Sequence, residues 1–401
     1  PQAPPTLPPA PGAVALTPPP GVVDPVRVAL LVPMSGPNAP LGRTLLDGAL
    51  LALFRLAERD FVLTPFDTKG TPEGAAEAAR KAVGEGAQLL IGPVFSSGVR
   101  AAAPVAAQAN INMLALSNDS AVAGPGVYLS GVLPELQVER VVRYASQHGV
   151  QRFAALIPEG PLGNRVRTQI QKTLGELGLE PARVVVFAGT TAGMGQAVRL
   201  ISDYEDRHAA LLAQRRQLEA AGDEVSRRTL DRLKGMETYG PPPFDGLFVA
   251  ASGTQLTEMA AQLANYDIDT NRVRLLGLSS WIAPSTGRDP KLVGGWFAVE
   301  PRAVADDFNR DFKAMYGSEP HPLSSAAFDL TALAAILAQV RSGARFDRAA
   351  LTHESGFAGI SGLFRFLPNG LPERGLEVRE VELRGSKVVD PAPKSFDKLI
   401  N

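Results

Sequence analysis

The sequence contains no cysteine in its 401 residues, which excludes disulfides, thiol nucleophiles and thiolate metal sites. It leaves the redox compartment open. The four histidines (148, 208, 321 and 353) are scattered without metal-ligand spacing. "HESGF" at 353–357 lacks the second histidine of a zinc-protease helix. There is no G-x-S-x-G elbow, no phosphate-binding loop and no pair of carboxylates on a shared loop. No catalytic residue, metal or cofactor is therefore expected, and the protein is expected not to be an enzyme. Charge of one sign is also missing: 40 basic residues meet 41 acidic ones, and no basic stripe interleaves with aromatics. Nucleic acid is not an expected partner. No apolar run reaches the roughly 18 uncharged residues of a membrane span.

What is present fits two lobes. Hydrophobic residues make up 45% of a chain long enough for two cores. Residues 1–25 hold ten prolines and one charge, Asp24, and read as a semi-rigid spacer or a disordered tail. The chain begins at Pro1, which reads either as a leader removed upstream, with a lipid anchor as the membrane attachment, or as an arbitrary boundary. From residue 26 strand and helix alternate. "VRVALLVP" (26–33), "FVLTPFD" (61–67), "AQLLIG" (87–92) and "INMLALS" (111–117) are near-continuous apolar strands, as parallel strands covered on both faces should be. The pattern restarts with "QRFAALIPEG" (151–160), then "RVVVFAG" (183–189), "FDGLFVAASG" (244–253) and "RVRLLGLS" (272–279). Two similar α/β units imply two lobes with a cleft between them.

Residues 203–237 break the pattern: eight acidic and seven basic positions accompany a thin leucine stripe. With a break at "AAGD" (220–223), this predicts a helical hairpin inserted at 202–237. It is either a solvated decoration or a partner-docking element. In the tail, Asn369-Gly370 marks a hairpin after "GFAGISGLFRF" (356–366), and 375–389 reads as one strand.

In open α/β sheets ligands gather at the strand C-termini. In the first lobe these loops carry Ser35, then Phe95, Ser96 and Ser97, then Ser117, Asn118, Asp119 and Ser120. Ser96 or Ser97 stands where a helix N-cap belongs, beside free N–H groups suited to a carboxylate. The second lobe offers Leu162, Ser280 and Trp281 as cleft candidates. Trp281 is either a stacking wall of the cleft or a packing residue.

The segment 26–53, followed by "DTKGTPEG", "LLIGPVFSS" and "LALSNDS", resembles the type I periplasmic binding proteins of the leucine/isoleucine/valine class over residues 26–340. "SDYEDRHAALLAQRRQLEAAGDE", "FDGLFVAASG", "VRLLGLSSW", "GGWFAVEP" and "GFAGISGLFRFLPNG" resemble the penicillin-binding protein activator lipoproteins of alphaproteobacteria, which share that fold. The resemblance implies a periplasmic lipoprotein of the outer membrane that binds and stimulates a peptidoglycan synthase. The best-studied kind also carries a helical-repeat domain, and these 401 residues contain no such repeat. The amino-acid-binding relatives imply the competing reading, a receptor for an amino acid or similar small carboxylate feeding a transporter. Their ligand hydroxyls correspond to Ser96, Ser97, Ser117 and Ser120. Their ammonium-binding acid falls at Ser279-Ser280-Trp281, which has no carboxylate, and their usual tyrosine is Leu41. The expected architecture is α/β and two-lobed, with mainly parallel sheets flanked by helices. Lobe one takes 26–145 and 300–340, lobe two takes 146–299 and 341–390, and 391–401 is a tail.

Overall fold

The computed structural model describes residues 25–58, 60–339 and 345–396, so the spacer expected before residue 25 lies outside the described residues. The first unit runs β1 (Val26–Val32), α1 (Ala39–Leu56), β2 (Phe61–Asp67), α2 (Pro72–Gly84), β3 (Leu89–Ile91), α3 (Ser96–Gln108), β4 (Asn112–Ala115) and β5 (Val127–Leu129). Its strands form one parallel sheet in the order β2-β1-β3-β4-β5. Local chemistry starts the helices. Thr71 caps α2 by accepting the Gly74 N–H at 3.0 Å, and Pro72 takes the first helical position, where its missing donor costs nothing.

The chain then crosses to α4 (Pro134–Gln147), β6 (Phe153–Pro158), α5 (Pro161–Glu176), β7 (Arg183–Phe187) and α6 (Thr191–Ile201). A helical hairpin follows, α7 (Tyr204–Ala221) and α8 (Glu224–Leu233). Gly222, left-handed at φ 63°, ends α7, and the Asp223 carboxylate accepts the Ser226 N–H at 2.7 Å to start α8. Next come β8 (Gly246–Val249), α9 (Gly253–Asn265), β9 (Arg274–Gly277) and β10 (Trp296–Val299).

A second crossing returns the chain to α10 (Ala303–Tyr316), α11 (Ser324–Ala338), α12 (Arg348–Leu351), β11 (Phe357–Gly359), β12 (Gly362–Phe366) and β13 (Pro372–Arg374). A third crossing delivers β14 (Glu377–Glu382) and β15 (Gly385–Asp390) to the second sheet, ordered β15-β14-β10-β9-β8-β6-β7. β14 and β15 join it antiparallel, and the rest is parallel.

This is the two-lobed α/β fold expected, with differences in allocation. Helix α4, expected in lobe one, buries Val138, Val141 and Val142 with Phe153, Trp296 and Val378 of the second sheet. Residues 346–374, expected in lobe two, place Phe346, Leu351, Phe364 and Phe366 in the core under β1. The "strand" 375–389 is a hairpin, because Arg384 turns left-handed at φ 66° between β14 and β15. The Asn369-Gly370 signal does mark the turn between β12 and β13.

Candidate functional site

The strand-end loops of lobe one are tied down from within. The Asp67 carboxylate at the end of β2 accepts the amides of Met34 and Lys69 at 2.8 Å and of Ser35 at 3.2 Å. Partial burial pushes the Asp67 carboxyl up, but the Ser35 hydroxyl and these amides outweigh it and hold the carboxyl below its ordinary value. Ser35 is exposed and serves this turn.

The loop after β4 is bridged to the other lobe. Ser117 is buried and its hydroxyl oxygen accepts the Asp119 N–H at 3.2 Å. The Ser120 hydroxyl donates to Glu135 at 2.8 Å. From α5, Arg165 donates to the Asn118 carbonyl at 3.2 Å and lies 3.7 Å from Asp119 and 3.9 Å from Glu135. Arg100 of α3 approaches Asp119 at 3.4 Å. On the second-lobe side, the Ser279 N–H donates to the Gln137 side chain at 2.7 Å.

The remaining candidates divide. Neither Ser96 nor Ser97 caps α3. Phe95 is the N-cap, half-buried against the first core, and the first turn of α3 has no side-chain cap. Leu162 packs at the edge of the second-lobe core. Ser280 is exposed. Trp281 is 1% exposed and belongs to the core, so it is a packing residue and not a cleft wall. Its indole N–H donates to the Ala251 carbonyl at 3.1 Å. Its ring lies 2.1 Å from where a Cβ on Gly277 would stand, so residue 277 has to be glycine.

A second constellation, which the sequence reading did not contain, sits where the chain crosses between lobes. Arg374 at the end of β13 is buried. It donates to Glu300 on the second crossing at 2.6 Å, to the Ser130 carbonyl on the first crossing, and to the Ser361 hydroxyl at 3.3 Å. Ser361 in turn donates its hydroxyl and, at 3.0 Å, its amide to Asp329 of α11, and the Ile360 amide adds a third bond at 2.8 Å. A Cβ on Gly359 would fall 2.4 Å from the Asp329 carboxyl carbon, so the turn closes over the carboxylate only as glycine. Burial pushes Glu300 up, the Arg374 guanidinium opposes it, and Asp329 adds to it; the net direction is up. Asp329 is also raised by burial, against its donors and Arg374. One signal was legible: Asp329 is the single charged residue in the mostly apolar "SSAAFDLTALAAILA".

Beside this cluster lies a cavity of about 350 Å³, lined among others by Ile282, Glu300, Arg302, Phe308, Asn309 and His321. Among the described residues no group of three His, Cys, Asp or Glu side chains could hold a metal ion. Also among them, no helix is long and apolar enough to cross a membrane.

Comparison with known proteins agrees with this geometry. The chain is 25% identical over 182 residues to an uncharacterized protein of Rickettsia prowazekii, covering 45% of this chain and 48% of the relative. It is 25% identical over 192 residues to the leucine-, isoleucine-, valine-, threonine- and alanine-binding protein of Pseudomonas aeruginosa, covering 45% of this chain and 50% of that one. The matches thus span about half the length of these curated relatives. In structure it is similar to the C-domain of LpoA from Haemophilus influenzae, a regulator of PBP1A. The TM-score is 0.62 at 18% identity, covering 90% of this chain and 99% of that one. The family model for "Periplasmic binding protein" matches residues 25–382. Two lobes and three crossings carry the same conclusion: the chain belongs to the periplasmic binding protein family, with the type I fold.

Proposed function

We propose that this protein is a non-enzymatic binding protein of the cell envelope that acts by docking on a protein partner, and that the partner is a peptidoglycan synthase. One observation carries the reading. The loop after β4, where a solute's carboxylate would be gripped, is already engaged by the protein itself. Ser117 and Ser120 spend hydrogen bonds on Asp119 and Glu135, and Arg165 reaches across from lobe two. The single hydroxyl proton of Ser120 is committed to Glu135, so that bond has to be lost before Ser120 can donate to a solute's carboxylate. The charged α7–α8 hairpin adds a surface that the two-lobed frame does not need. LpoA, which regulates PBP1A, has a similarly folded C-domain. Under this reading the protein faces the periplasm at the outer membrane.

The test is direct binding to a bifunctional peptidoglycan synthase and the rate of glycan-chain synthesis in its presence. Specific binding with a changed rate is the expected result. The absence of both binding and a rate change sinks the proposal.

A second reading is favoured by a different observation. The N-terminus of α3 has no side-chain cap, leaving donors in the lobe-one cleft for a carboxylate. A solute receptor for an amino acid or similar carboxylate would use it. Refolded protein melted against amino acids, peptides and cell-wall fragments separates the two. A ligand at about 100 times its dissociation constant adds roughly 2.7 kcal/mol and raises the melting temperature.

A further inference from the structure

The buried cluster at the crossings is one positive charge short. Glu300 and Asp329 bring two carboxyls, and Arg374 is the single guanidinium bonded between them. Asp329 is 3% exposed and both its oxygens are taken by Ile360 and Ser361. Glu300 differs. Its Oε1 receives Arg374, while among the described residues no hydrogen bond reaches Oε2. Glu300 also lines the 350 Å³ cavity, a size within the range of small-molecule sites, about 300–1,000 Å³.

Of the other lining groups, Arg302 and Glu319 bring one charge of each sign, and the rest suit a small organic molecule. Phe308, Ile282 and Val299 give it apolar walls. The His321 Nδ1 accepts the Leu323 N–H at 3.2 Å, and burial lowers the imidazole's pKa. The ring is therefore neutral, with its proton on Nε2, a donor with no other bond among the described residues. Asn309 contributes an amide. With no three-ligand metal cluster among the described residues, the missing charge is not suited to a metal ion.

We propose that this cavity is a binding site for a small primary amine with an apolar body. Its ammonium takes the open oxygen of Glu300 and supplies the missing charge. The site lies apart from the serine loops at the strand ends and does not depend on which macromolecule the hairpin meets.

Occupation also reaches the lobe angle. Glu300 stands on the second crossing and holds Arg374, which holds the carbonyl of Ser130 on the first and is itself at the start of the third. A cation on the other oxygen of Glu300 shares the carboxylate with that guanidinium, so the ligand acts on all three crossings through one side chain.

The probes are phenethylammonium and 3-phenylpropanoate, near-isosteres of opposite charge, titrated by calorimetry into the whole chain. Saturable binding of the ammonium, with the carboxylate at least tenfold weaker, is expected. Glu300→Gln should weaken the ammonium at least tenfold. Because that change strands Arg374, Ala305→Trp serves as a second variant; it fills the cavity and leaves the charges in place. It should abolish binding in a protein that keeps its melting transition. A cysteine-free chain accepts a unique label pair at Glu77→Cys and Arg167→Cys, whose distance distribution should move when the ammonium binds. Equal binding of both probes, no binding of either, or full binding by both variants overturns the site. Binding with an unmoved distance distribution overturns the coupling to the lobes.

Discussion

At the scale of single residues, charge burial decides the outcomes. Arg374→Met leaves Glu300 and Asp329 without their shared cation. Breaking a buried pair from one side costs about 3–5 kcal/mol, and chemical denaturation should show a loss of that size. Asp67 has the opposite electrostatic sense to Glu300. Its folded carboxyl lies below the ordinary value of 3.8, so its contribution is present above that pH and is lost as pH falls through the depressed value. Glu300 and Asp329 are raised, so their contribution is full below the ordinary carboxylate range and fades as pH rises toward the raised values. The acid limb of the stability curve below about pH 4 should therefore flatten in Asp67→Asn, measured by melting temperature against pH. Trp281→Ala empties a core site and should cost about 3–5 kcal/mol, whereas a cleft wall would have lost little stability.

At the scale of elements, the strand–helix alternation was legible because parallel strands are apolar on both faces and helices start at recognisable caps. Thr71→Ala removes one such cap and should cost about 1 kcal/mol, read from the melting transition. The hairpin was legible in its charge and in "AAGD". It touches the core through Leu211, Leu233 and the buried Arg207, whose guanidinium donates to the carbonyls of Ser202, Gly240, Tyr266 and Asp267. Joining Asp203 to Lys234 by a short linker should leave both lobes folded and abolish synthase binding in a pull-down. A retained interaction would move the docking surface elsewhere. Less legible was which core each late segment joins. Residues 346–374 and α4 carry ordinary apolar spacing, and nothing in such spacing names the sheet it will meet. The site was half legible: loops follow from strand ends, but Arg165, Glu135 and Arg374 meet only in three dimensions.

At the scale of the whole molecule, the lobes are joined on two sides: by Arg374 at the crossings and by Arg165 across the cleft. The Arg165 ion pairs are long and partly exposed, so Arg165→Ala should change global stability by less than about 1 kcal/mol. The same variant should broaden the interlobe distance distribution, measured with the paired labels. Three crossings also set an order of events. The first core holds Val28 and Leu30 together with Phe364 and Phe366, and the second sheet is completed by β14 and β15. A ribosome delivers the chain from its N-terminus, so neither lobe can close before its last elements have been made, Phe366 of β12 for the first core and β15 for the second sheet. The two lobes therefore mature together, and a helper that shields unfinished sheets has most to do with this chain in the interval before β12 to β15 emerge.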